Sequence, residues 1–149
     1  MKYYLIFIFS TLVFFSCSNI KKVVNGTSCS NKLNIQYDNT FSRGVMAKKE
    51  KKKITVFFLN YFHDSIKVYF NRDLKFHDFV LTNTTTGKSN KSFSYDYSKE
   101  RTVPIMKVES ENHNCFEVPI KKNYKIVYLF IDDLKKWTIR YSNRYYVND

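Results

Sequence analysis

Three cysteines, three histidines and a C-terminal row of basic and aromatic residues carry most of the chemistry this sequence has to offer. His63 and His77 each precede an aspartate, Asp64 and Asp78, and His113 lies two positions before Cys115. A metal centre needs three or four ligands that converge, and no Cys-x-x-Cys or His-Glu-x-x-His spacing supplies them. The histidines read as exposed turn residues, with no metal and no cofactor expected. Nucleophilic catalysis needs a Ser or Cys beside a positioned base. There is no Gly-x-Ser-x-Gly elbow, and 3 glycines are few for building tight active-site turns. Asp132 and Asp133 are adjacent carboxylates at a hairpin, where neighbouring side chains point apart and turn chemistry explains both. No catalytic residue is assigned, and the chain is not expected to be an enzyme.

The strongest binding lead runs from Lys135 to Tyr146. It interleaves Lys135, Lys136, Arg140 and Arg144 with Trp137, Tyr141, Tyr145 and Tyr146. Exposed together, these residues would offer aromatic faces to a protein or glycan partner, with cations beside them for acidic groups. Alternation offers a second reading, with Trp137 and Tyr141 in a core and Lys136 and Arg140 in solvent. It favours the core reading for those four, and Tyr145 and Tyr146 fall outside the pattern.

Such residues have to be placed by strands. Tyr and Phe are abundant and Gly and Pro scarce, a composition that suits sheets better than long helices. Two stretches, Ile54 to Phe62 and Tyr124 to Ile131, are almost continuously apolar, as in strands covered on both faces. Between and after them, half-apolar strands are expected at Ile66 to Phe70, Leu74 to Leu81, Ser92 to Tyr97, Thr102 to Val108, Cys115 to Ile120 and Lys136 to Ser142. Turns are expected at His63-Asp64-Ser65 and Asn71-Arg72-Asp73, a loop at Thr82 to Lys91, and a bulge near His77-Asp78 where the alternation of Phe76 and Phe79 slips. Leu33, Ile35 and Tyr37 alternate as a short edge strand would. The spacing predicts an all-β fold, an antiparallel β-sandwich of immunoglobulin-like size with about seven or eight strands over residues 54–149.

The N-terminus tells where such a domain would sit. Lys2 is followed by an apolar run through Leu5, Phe7, Phe9, Val13 and Phe15, then Ser16-Cys17. One early charge and an apolar core of about a dozen residues make a secretory signal, too short for the roughly 20 residues of a membrane span. The single Cys directly after that run resembles the lipobox of bacterial lipoproteins. The resemblance rests on Ser16 and Cys17, since Phe14 and Phe15 depart from the usual Leu and small residue. It implies removal of residues 1–16, lipid (diacylglycerol and palmitate) on Cys17, and attachment to the membrane. Ser18 after the Cys implies the outer membrane, with the periplasmic face preferred; a secreted protein is the alternative. The combination of lipobox and short strands is similar to small uncharacterised lipoproteins of Bacteroidetes-type bacteria.

Residues 17–53 then read as a flexible basic tether, ending in Lys48, Lys49, Lys51, Lys52 and Lys53. With Cys17 lipidated, Cys29 and Cys115 are left either as a disulfide in an oxidising compartment or as independent thiols. A formal net charge of +12 favours anionic lipid, acidic glycans or acidic proteins. The signal argues against the compartment where nucleic acid would be the partner. The expected function is therefore a lipid-anchored, non-catalytic envelope protein that binds a protein or glycan or serves structurally. A small envelope hydrolase without a recognisable motif, or a basic domain adhering to anionic lipid or lipopolysaccharide, are the alternatives.

Overall fold

In the computed structural model, which describes Cys29 and residues 33–38, 45–47, 52–112, 115–132, 134 and 136–145, the two unbroken apolar runs are neighbours. They form β3 (Lys53–Leu59) and β9 (Ile126–Ile131), paired in parallel with Val56 opposite Val127 and Phe58 opposite Leu129. Those inward residues belong to the main core. Leu59, Ile126 and Tyr128 point the other way into a second cluster, with Phe57, Phe130 and Ala47 against it. Apolar cover on both faces is what a strand without alternation requires.

The remaining strands are β1 (Leu33–Tyr37), β2 (Val45–Met46), β4 (His63–Phe70), β5 (Asp73–Asn83), β6 (Lys88–Asp96), β7 (Ile105–Ser110), β8 (Phe116–Pro119), β10 (Trp137–Ser142) and β11 (Arg144–Tyr145). Nine of the eleven strands among the described residues form one sheet in the order β1-β10-β9-β3-β6-β5-β4-β7-β8, while β2 and β11 pair separately. The all-β expectation holds. The purely antiparallel arrangement does not, because β1 joins β10 and β3 joins β9 in parallel. Periodicity carries no direction. The chain leaves β3, travels through β4 to β8 and returns as β9 running the same way. Every strand expected from Ile54 onward is present, the short edge strand read at Leu33, Ile35 and Tyr37 is β1 at the end of the sheet order, and the additional ones are β2 and β11. The sheet thus reaches back beyond the expected start at Ile54, and part of the stretch expected to be tether is strand.

The sheet curls until it nearly closes. β5 and β6 pair only next to their turn, at Thr82 with Ser89 and Asn83 with Lys88. Beyond it β6 follows β3, β5 follows β4, and the two inner faces meet. Phe76 stacks on Phe93 at 4.9 Å, Phe70 on Tyr95 at 4.1 Å, and Phe116 meets Trp137 edge-on at 5.1 Å. Each such pair adds about 0.5–1.5 kcal/mol beyond its buried area. At the closing seam Tyr141 Oη donates to the Pro119 carbonyl at 3.4 Å.

Several local expectations shift. His63, Asp64 and Ser65 open β4, and the turn is Asn60 to Phe62. Asn71 and Arg72, both at positive φ (50° and 75°), make the two-residue hairpin between Phe70 and Asp73, the backbone that matches strand twist. The loop expected at Thr82 to Lys91 shrinks to residues 84–87. The irregularity in β5 falls at Lys75, since Val68 faces Phe76 while Tyr69 faces Leu74.

Candidate functional site

Strand registers sort the loops into two ends. One end holds the 60–62 turn, the 84–87 turn, the 111–115 connection, the 132–136 turn and the start of β1. Hydrogen bonds knit it together. Asn60 N donates to the Gly87 carbonyl at 2.9 Å, Thr82 N to the Phe62 carbonyl at 2.9 Å, and Phe62 N to Thr82 Oγ1 at 3.0 Å. Buried Asp64 accepts from Ser110 Oγ and from Asn112 N and Nδ2, both at 3.0 Å, so its carboxylate holds the next turn in place. Between these turns lies a cleft of about 360 Å³, lined by Asn60, Tyr61, His63, Leu81, Thr82 and Thr84 among others.

Large apolar side chains stand exposed toward this end, Tyr61 and Leu81 in the cleft lining itself. Tyr61 is 65% exposed, Leu81 56%, Phe79 50%, and Leu134 at the 132–136 turn 74%. The register sets His63 opposite Leu81 and Ser65 opposite Phe79, with the His63 ring edge-on to Phe79 at 5.4 Å. Asn60 and Tyr61 both carry positive φ, 55° and 59°, a conformation costing non-glycine residues roughly 1–2 kcal/mol.

The opposite end is basic. It gathers Lys52 and Lys53 before and at the start of β3, Lys99 after β6, and Lys121, Lys122 and Lys125 before β9. Thr55 N bonds the Lys125 carbonyl at 2.8 Å and Tyr97 N the Lys52 carbonyl at 2.8 Å, which ties these segments together. Asp96 sits among them. Its carboxyl is held below the usual range by hydrogen bonds from Ser98 and, in smaller part, by the Lys53 and Lys99 charges. Other acids at this end are bound to neighbours: Glu100 accepts from Tyr95 and Asn71, and Asp38 from Ser142. Tyr37, 45% exposed, lies 5.7 Å from the Tyr124 ring beside the Lys121-Lys122 turn.

The residues singled out in the sequence separate in space. Trp137 and Tyr141 are 3% and 0% exposed, inside the main core, whereas Lys136 is in solvent. Arg140 lies on the other face of β10, donating Nε to Gln36 Oε1 at 2.9 Å with its guanidinium 5.0 Å from the Phe130 ring centre. Arg144 offers its carbonyl to Tyr128 Oη, and Tyr145 rests edge-on against Phe57 at 6.0 Å. The shared aromatic and basic surface expected at Lys136, Trp137, Arg140, Tyr141, Arg144 and Tyr145 is not assembled, because a strand's period of two sends alternate side chains to opposite faces. Tyr146, His113 and Cys17 lie outside the described residues. Cys29 and Cys115 are joined as a disulfide.

His77 Nε2 lies 3.3 Å from Ser65 Oγ on the exposed face of β4 and β5. Among the described residues no carboxylate bonds its other ring nitrogen, so the pair lacks the third group that orients a catalytic base. Among the same residues, no three of His, Cys, Asp and Glu converge as a metal set. Asp132 Oδ1 accepts from Lys136 N at 2.7 Å, the turn chemistry expected of it.

No protein-family model, curated protein or solved structure matches this chain.

The apolar end is not legible from the strand reading of Leu74 to Leu81, which places a bulge near His77-Asp78 to accommodate Phe79 beside Phe76. Phe76, Asp78, Val80 and Thr82 in fact keep one unbroken inward register, and His77, Phe79 and Leu81 another that faces out. Two apolar residues out of phase with their own strand were the available signal.

Proposed function

We propose that this chain is a lipid-anchored, non-catalytic module of a bacterial envelope that binds an acidic glycan through its lysine-rich end. The observation that carries the reading is the convergence of Lys52, Lys53, Lys99, Lys121, Lys122 and Lys125 from separate segments onto one end of the sheet. Amines so placed suit carboxylate, phosphate or sulfate groups, and they raise the local concentration of anions. The exposed Tyr37 ring beside them provides an apolar plane for the C–H face of a sugar. The lipobox resemblance at Ser16-Cys17 supports the anchor. Cys29, the first described residue, lies at the opposite end. β3 has 7 residues, so the lysines stand about 20 Å from that end at strand rise, facing away from where the chain comes in. The same reading takes the curled sheet as a β-sandwich whose halves share the β5–β6 hairpin.

Retention of the purified chain on an acidic polysaccharide and on neutral dextran tests the binding. Retention on the acidic polymer alone is expected, weakening steeply with salt, and largely abolished in Lys121→Glu/Lys122→Glu. Equal retention on dextran, or an unchanged charge-reversal variant, would reject the glycan reading. Radiolabelled fatty acid should enter the wild type and not Cys17→Ala; labelling of neither would reject the anchor.

A further inference from the structure

We propose that the apolar end of the domain is a membrane-docking surface, seating Tyr61, Leu81 and Leu134 in the interfacial layer of a lipid bilayer. Three independent features place the bilayer there. First, four of the ten exposed large apolar side chains among the described residues, the two most exposed included, stand toward this end. They are Tyr61 on the 60–62 turn, Leu81 and Phe79 on the second half of β5, and Leu134 between β9 and β10, whereas Tyr37, Leu74 and Ile105 stand toward the other. Tyr61 stands on a turn that hydrogen bonds hold in place, and Leu81 lines the same cleft from β5, so a bilayer meets a preformed surface.

Second, the chain reaches the domain at this end. Cys29 is bonded to Cys115, which directly precedes Phe116, whose ring meets Trp137 at the base of the 132–136 turn. The N-terminal segment of the sequence therefore joins the described domain at Cys29, on the same end as Tyr61 and Leu134. Whatever holds that segment at a membrane brings this end to the surface first.

Third, charge is distributed as such an orientation requires. Among the described residues Lys88 and Lys136 at this end are offset by Glu111 and Asp132, while the lysines gather at the far end. Tyrosine is enriched at headgroup depth because its ring is apolar and its hydroxyl stays wet. Membrane attachment gains stability from a second, independent contact added to a lipid chain.

The inference rests on where the chain enters the domain and not on lipid at Cys17. Its test uses the full chain reconstituted in phosphatidylcholine vesicles with brominated acyl chains, where either the lipid or the N-terminal apolar segment retains it. Tryptophan is introduced singly as Leu81→Trp, Leu134→Trp or, at the basic end, Lys99→Trp, all at exposed positions. The signal of the buried Trp137 is subtracted using the unsubstituted chain. Bromine quenching at positions 81 and 134 should exceed that at 99 by about threefold or more, as expected for rings at interfacial depth. Equal quenching at the three positions, absent quenching included, or stronger quenching at 99, would overturn the proposal. Fatty-acid labelling of Cys17 is read on the same preparation. A labelled chain without the quenching pattern rejects the docking surface alone, and an unlabelled chain with the pattern rejects only the lipid.

Discussion

The Gly87 carbonyl accepts a hydrogen bond from Asn60 N at 2.9 Å, and a Cβ built on Gly87 would lie 2.6 Å from Asn60 Oδ1. This contact locks the turn leaving β3 onto the turn between β5 and β6. Gly87 also has φ of +66°, which disfavours any side chain there. Gly87→Ala should therefore cost about 1–3 kcal/mol of unfolding free energy in urea titrations. Asn60→Gly removes both the clashing amide and a strained φ, so the double variant should be more stable than the sum of its single effects. Strict additivity would show that the contact does not govern the turn.

The disulfide joins the segment before β1 to the segment before β8 across 86 residues of sequence. Cross-linking so long a loop restricts the unfolded chain by about 4 kcal/mol on the entropic model. Cys29→Ser/Cys115→Ser should lower the urea midpoint accordingly, and dithiothreitol should shift the wild type to the same value while leaving the variant alone. Amide exchange should locate the largest loss of protection in β1, whose pairing with β10 the link supports. A variant as stable as the wild type would sink this account.

Alkaline pH should loosen the curled sheet through Tyr95. Burial, then its hydrogen bond to Glu100 Oε1 at 2.8 Å, pushes the phenol up to about 12. The fold favours the neutral form, so the contribution is complete below pH 10 and is lost as pH rises through 12. Tyr95→Phe should cost about 1 kcal/mol at neutral pH through the lost hydrogen bond. Its stability should also decline less than the wild type's between pH 10 and 12. Parallel declines in the two proteins, followed by urea midpoints at each pH, would remove Tyr95 as the source.

Much of the fold was legible because burial leaves a periodic mark. The runs around Val56 and Val127 announced strands covered on both faces, and that is how β3 and β9 lie. Trp137, Ile139 and Tyr141 announced an inward row, and all three are buried. Partner and direction leave no such mark. Nothing local to Thr55 or Ile126 tells that they are register partners in parallel, since that depends on the path the chain takes through β4 to β8. Very short strands are hidden for a related reason: β2 and β11, at 2 residues each, cannot display a period.

The surfaces divide the same way. By itself the sequence determined strand character and net charge, because these follow from residue type and local spacing. Only the tertiary structure decided which charges and apolar groups act together. Lys52 and Lys122 stand far apart in the chain, yet strand pairing gathers them at one end. Trp137 and Lys136 are neighbours, yet the pleat places one in the core and the other in water. Tyr61, Leu81 and Leu134 reach one end for the same reason: a turn's position in space is set by the registers of the strands that lead to it, and those registers are long-range.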